Sequence, residues 1–165
     1  FIEVVRIVKE QYPGITAAMV GAEGDISFAE IEKNIIESHL EDNINFIGPM
    51  DHSELSEMYI RSKILIFPSV YEKESFGLVV AEAMTFGTPS IIYNQWGVRN
   101  LIDNGINGYI CEANDNGAMA SRVKRLLGTE DEWTLMSRQS KLIAHERFSL
   151  KNYEDTILQL INASE

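Results

Sequence analysis

Apolar residues recur along this chain in two rhythms that take turns. Over residues 1–11 they fall at 1, 2, 4, 5, 7 and 8, the spacing of a helix, and Tyr12-Pro13-Gly14 supplies a stop. Residues 15–20 then form a short apolar run into Gly21, which reads as a buried strand. The alternation repeats. A helix is expected from Ser27, which with Glu30 makes a capping-box pattern, to about His39. A strand over 44–47 closes at Gly48-Pro49, and a helix capped by Asp51 or Ser53 carries Leu55, Met58 and Tyr59 on one side. Next come a strand over 64–67 ending at Pro68-Ser69, a helix from near Ser75 to Gly87, and a strand over 89–93. An irregular crossing from Trp96-Gly97 to Asp103-Asn104-Gly105 leads to a last strand over 108–111. From there the pattern is helical: 114–127, 130–147 and 149–161.

Five short strands separated by helices imply βαβ units, hence an α/β fold with a doubly wound, Rossmann-like, mostly parallel sheet covered on both faces. Ligands of such sheets sit outside the carboxyl ends of the strands. The stretch from Ser69 to Met84, SVYEKESFGLVVAEAM, lies at such an end. A strand that enters a loop and then a helix aims the first-turn N–H groups and the positive end of the helix dipole at that space, which suits an anion. Glu74 before the helix and Glu82 two turns inside it would sample the mouth and flank of one crevice.

Composition narrows the classes. With 165 residues the chain suits one domain, residues 1–165, with a sizeable core. A formal charge of −11 disfavours nucleic acid and anionic membrane surfaces as partners, because phosphate binding needs Lys and Arg. An anionic ligand would have to be held by helix N-termini or a few placed cations. The lone Cys111 permits no intrachain disulfide and reads as an inert buried thiol, so a cytoplasmic location is the default expectation. No apolar run approaches the roughly 18 residues of a membrane span. His39, His52 and His145 are too scattered for a metal site, and the Trp133, Leu135, Met136 stretch is expected in the core.

The motifs, taken in order, resemble a known family. Glu74-Ser-Phe-Gly-Leu-Val-Val-Ala-Glu82-Ala83 is similar to the E-x7-E signature of retaining glycosyltransferases of the GT-B fold, the "glycosyl transferases group 1", or glycosyltransferase family 4. Gly21, Phe46-Ile47-Gly48, Phe67-Pro68-Ser69, Gly87-Thr88-Pro89 and Asp103-Asn104-Gly105-Ile106-Asn107-Gly108 accompany it at the family's spacings, over about residues 15–112. The resemblance implies the C-terminal, nucleotide-sugar-binding half of a two-domain enzyme. It lacks the first central strand, with the Arg and Lys that neutralise the donor diphosphate in the family, and the acceptor-binding N-terminal domain. Asn100 stands where the family has a Glu.

That resemblance assigns roles. Glu74, the catalytic-site candidate, would accept hydrogen bonds from hydroxyls of the transferred sugar, and Glu82 from the ribose. The donor diphosphate would meet the amides of Gly77 and Leu78, with Phe76 beside them, while Ser69 and Ser75 add phosphate or sugar contacts. Ile47 and Gly48 would offer an edge to the base. The implied donor is a UDP-, GDP- or ADP-sugar, used without a metal ion or other cofactor, for glycan, glycolipid or polysaccharide synthesis. The helix over 149–161 would cross to the absent N-terminal domain, the only part through which peripheral membrane association would arise; this piece alone is expected to be inactive. Simpler readings stand beside these: Glu74 as a helix-dipole carboxylate, Glu82 as a solvated helix position, Gly77 as a packing glycine, and Lys73 as a solvated loop lysine. Alternative functions are a non-catalytic nucleotide-sugar-binding module, a GT-B sugar-nucleotide epimerase, or a glycogen-phosphorylase-like reaction, although no lysine or histidine is placed to serve the last two.

Overall fold

The structure, a computed structural model, describes residues 1–24, 26–71 and 76–149. Within them the chain runs α1 (Ile2–Lys9), β1 (Ala17–Val20), α2 (Phe28–Glu37), β2 (Ile44–Gly48), α3 (His52–Arg61), β3 (Leu65–Phe67) and α4 (Leu78–Phe86). It continues through β4 (Ser90–Tyr93), a 3₁₀ turn (Val98–Leu101), β5 (Gly108–Cys111), α5 (Asn116–Gly128) and α6 (Glu130–Phe148). All pairings between these strands are parallel, as expected for βαβ units.

Local chemistry sets the boundaries. Asp51, not Ser53, starts α3: its carboxylate accepts the Glu54 N–H at 2.9 Å while the Glu54 carboxylate accepts the Asp51 N–H at 2.9 Å, a complete capping box. Ser27 accepts the Glu30 N–H at 3.3 Å and opens α2. α4 begins at Leu78 rather than near Ser75. Gly77 precedes it with φ of 77°, a left-handed conformation that cannot belong to the helix and that glycine adopts without strain. Ser149 is the extended residue that ends α6; the helix expected from it lies outside the described residues.

The sheet is interrupted. β1 pairs with β2, and separately β3, β4 and β5 pair in that order, so no hydrogen-bonded ladder joins the two groups. This is the gap expected from the absent central strand. α1 lies across it: Val4 and Val8 pack into a core with Ile91, Tyr93, Met119 and Leu126, against which Ile64 and Ile66 rest. Val5, on the neighbouring helical position, packs with Ile35, Leu40 and Ile44, joined by Ala17 and Met19. β4, with a neighbour on each edge and helices on both faces, is buried along its whole length, whereas β1 and β3 are only half-buried despite equally apolar sequences.

Candidate functional site

The expected site residues Ile47 and Gly48 end β2, and Ser69 follows the carboxyl end of β3. β2 ends at Gly48, whose carbonyl accepts the Gly21 N–H at 3.0 Å and ties the ends of β1 and β2 together. One lone pair of that carbonyl at the expected base edge is therefore already engaged. Ser69 follows β3 by two residues, and its hydroxyl oxygen accepts the Tyr71 N–H at 3.3 Å within its own loop. Glu74 and Ser75 lie outside the described residues. Phe76 is half exposed and meets Phe148 edge-to-face with ring centres 6.1 Å apart, which brings the end of α6 to the entrance of α4.

At that entrance Gly77 is buried and packed against Val98: a Cβ added to it would stand 2.9 Å from Val98 Cγ2. A larger residue there would meet Val98, on the turn after β4, and a left-handed backbone. Leu78 is exposed at the first helical position. Arg147 braces the neighbouring turn by donating to the Asn100 carbonyl at 2.8 Å, the Leu101 carbonyl at 3.2 Å and the Asp103 carboxylate at 2.8 Å. Asn100 itself is exposed.

Glu82 lies five residues inside α4 from Gly77, about 7.5 Å along the helix axis. Val80, Ala81, Ala83 and Met84 around it are buried, and Glu82 is the sole charged residue of that helix. Its side chain keeps 34 % of its exposure, so the carboxylate occupies the helix's polar margin. Two residues of α3, seven apart and so on one helical face, flank it. The Tyr59 hydroxyl donates to Oε2 at 3.1 Å, and His52 Nδ1 stands 4.0 Å from Oε1. Burial, reinforced by this bond, pushes the Tyr59 phenol well above the usual tyrosine range. Glu82 thus has a protein partner in Tyr59, which the sequence pattern shows only as one of three residues on one side of α3. A buried tyrosine that needs an acceptor, facing a helix with one carboxylate, is the signal that would have found it.

Other expectations divide. Cys111 is buried and its thiol is pushed up by burial, which suits an inert role. Among the described residues no group of three or more His, Cys, Asp or Glu could hold a metal ion. Met136 is buried, but Leu135 is exposed and Trp133 only half-buried, its indole N–H donating to the Lys63 carbonyl at 2.6 Å. A shallow apolar groove of about 500 Å³, lined by Thr85, Lys141, Leu142, His145 and Phe148 among others, lies on the α6 side of α4 and contains none of the expected site residues.

Residues 1–143 match the sequence model of the family "Glycosyl transferases group 1". The chain belongs to that family. A curated relative, N-acetyl-alpha-D-glucosaminyl L-malate synthase of Bacillus anthracis, is 34 % identical over 119 residues, which is 72 % of this chain and 29 % of the relative. The C-terminal domain of a glycosyl transferase group 1 family protein, LpcC of Francisella tularensis, superposes with a TM-score of 0.80 at 23 % identity, covering 91 % of this chain and 78 % of that one. Anabaena Alr3699/HepE, solved in complex with UDP, gives 0.85 at 20 % identity, covering 97 % of this chain and 44 % of that one. The fold is the C-terminal, Rossmann-like half of a GT-B glycosyltransferase, and the chain spans well under half the length of the curated glycosyltransferases it matches first. No helix among the described residues is long and apolar enough to cross a membrane.

Proposed function

We propose that this chain is the donor-binding half of a retaining glycosyltransferase acting on a nucleotide diphosphate sugar. One observation carries the reading. The sole carboxylate of a helix buried on most sides is held at its polar margin, about 7.5 Å along the axis from the N-terminus of that helix. A nucleoside diphosphate offers matching groups in the same order: a dianion for the helix start and a diol for the carboxylate. Support comes also from structural neighbours solved with UDP and with UDP-glucose.

In this reading the first-turn N–H groups and dipole of α4 stabilise the charge that grows on the departing diphosphate as its bond to the anomeric carbon breaks. The acceptor hydroxyl oxygen forms the new bond on the same face of the sugar, and its proton passes to the departing diphosphate oxygen. Glu82 takes the ribose hydroxyls, Glu74 takes hydroxyls of the transferred sugar, and Ile47 with Gly48 borders the base. The partner half supplies the acceptor, and the chain alone binds donor without transferring it. No metal ion takes part.

Calorimetric titration of the folded chain with UDP, GDP and ADP in the presence of EDTA tests the proposal. At least one should give saturable heat, weakened roughly tenfold by Glu82→Ala, the loss of one or two hydrogen bonds to a charged group. Absence of binding by all three overturns the reading. Binding without transfer when an N-terminal half is supplied would leave a nucleotide-sugar-binding module instead.

A further inference from the structure

We propose that Tyr59 is a positioning residue for Glu82: its hydroxyl pins Oε2 so that the Oε1 edge is presented to the ribose diol of the bound nucleotide. The inference rests on the donor-binding reading above and deepens it. An ionised carboxylate only accepts hydrogen bonds, so the 3.1 Å contact between Tyr59 and Oε2 has the phenol as donor. Each carboxylate oxygen accepts two, which leaves Oε2 a second place and Oε1 both of its own.

The two oxygens face different surroundings. Oε2 meets a phenol whose residue is 7 % exposed, while Oε1 faces His52, which is 95 % exposed and at 4.0 Å beyond hydrogen-bond reach. The Oε1 side is therefore the open one. His52 is four residues past Gly48, so it stands within roughly 14 Å of the end of β2, where the base edge is expected.

Tyr59 is itself fixed by contacts that do not involve its hydroxyl. Its ring stacks on Phe86 of α4 at 5.9 Å with an interplanar angle of 19°, and its carbonyl accepts the buried Thr88 hydroxyl at 2.8 Å. Both partners flank the end of α4, so the ring and the carboxylate are held to the same helix. A glutamate has several rotatable bonds, and freezing them costs affinity when a ligand does the ordering. A rigid phenol does that ordering in advance. Burial keeps the phenol protonated across the neutral range, so the donor is always present.

Tyr59→Phe keeps the ring, the stack and the backbone bond and removes only the hydroxyl. The experiment compares the affinity of the wild-type chain and the variant for the ribonucleoside diphosphate and for its 2′,3′-dideoxy analogue. Wild type should prefer the ribo form, and the variant should bind it roughly five- to tenfold more weakly, the worth of one ordered hydrogen bond. The preference over the dideoxy form should shrink toward one. A merely structural role would weaken both ligands equally and leave the preference intact, which would overturn the proposal while the donor-binding reading stands. If wild type binds neither nucleotide, both fall. Should the variant not fold by circular dichroism, site-specific 3-fluorotyrosine at position 59 asks the same question in reverse. Its more acidic phenol donates more strongly, so the ribo preference should rise, and an unchanged preference would overturn the proposal.

Discussion

Gly77 shows how one residue serves both the backbone and the packing at the entrance of α4. Its φ of 77° costs an L-residue about 1–2 kcal/mol, and a methyl group there would press on Val98, which is fully buried and must yield. Gly77→Ala should therefore lower unfolding stability by about 1–3 kcal/mol in urea, and a loss below about 0.5 kcal/mol would contradict the packing described. Nucleotide affinity should fall with it, because the helix start moves. The E-x7-E spacing makes Gly77 and Glu82 legible in the sequence, since short-range motifs are written in contiguous residues. Tyr59 was legible only as an apolar position on α3. Its acceptor lies 23 residues away, and no periodicity rule reports a pair that two helices create by crossing. The contact of Val98 with Gly77 was hidden for the same reason, because it depends on how the turn after β4 folds back.

At the scale of elements, α3 is the carrier of the two residues that flank Glu82. Its first turn is fixed by the reciprocal bonds of Asp51 and Glu54, both exposed, so the cap acts on the helix rather than on the core. Asp51→Ala should cost about 1 kcal/mol in denaturant unfolding, with Asp51→Ser recovering most of it. If the alanine variant is as stable as the parent, the cap is not what starts this helix. Because His52 is the first residue of α3 and Tyr59 lies two turns further on, fraying should touch the open side of Glu82 first. The cap was readable as a choice between Asp51 and Ser53; the D-x-x-E pattern favours the former, since Asp51 alone has a glutamate three residues on. The start of α4 was placed too early because Glu74 and Ser75 look like a helix opening, and only the left-handed backbone of Gly77 forbids it.

For the molecule as a whole, the interruption between β1 and β3 decides how the half-domain behaves. Ala17 donates its N–H to the Asn43 carbonyl at 2.7 Å, and Leu65 donates to the Pro89 carbonyl at 3.0 Å. Successive residues of a strand point their N–H groups to opposite edges, so Met19 and Phe67 also face β2 and β4, while Ala18 and Ile66 face away from them. The apolar contacts of α1 span the same two strands, so Ala18 and Ile66 look into the gap beneath that helix. A burial pattern that is half-exposed over AAMV and LIF, against complete burial of SIIY, is what a missing neighbour produces. Amide hydrogen exchange measures this directly. The Ala18 and Ile66 amides should exchange roughly tenfold or more faster than those of Ala17, Met19, Leu65 and Phe67, because opening them breaks no strand bond. Extending the chain ahead of α1 by a parallel strand, joined in the right-handed sense, should bring Ala18 and Ile66 to the protection of their neighbours and raise the urea midpoint. Equal protection in the unextended chain would mean that the two groups of strands already close on each other, and the sheet would then need no further strand to support the helix that carries Glu82.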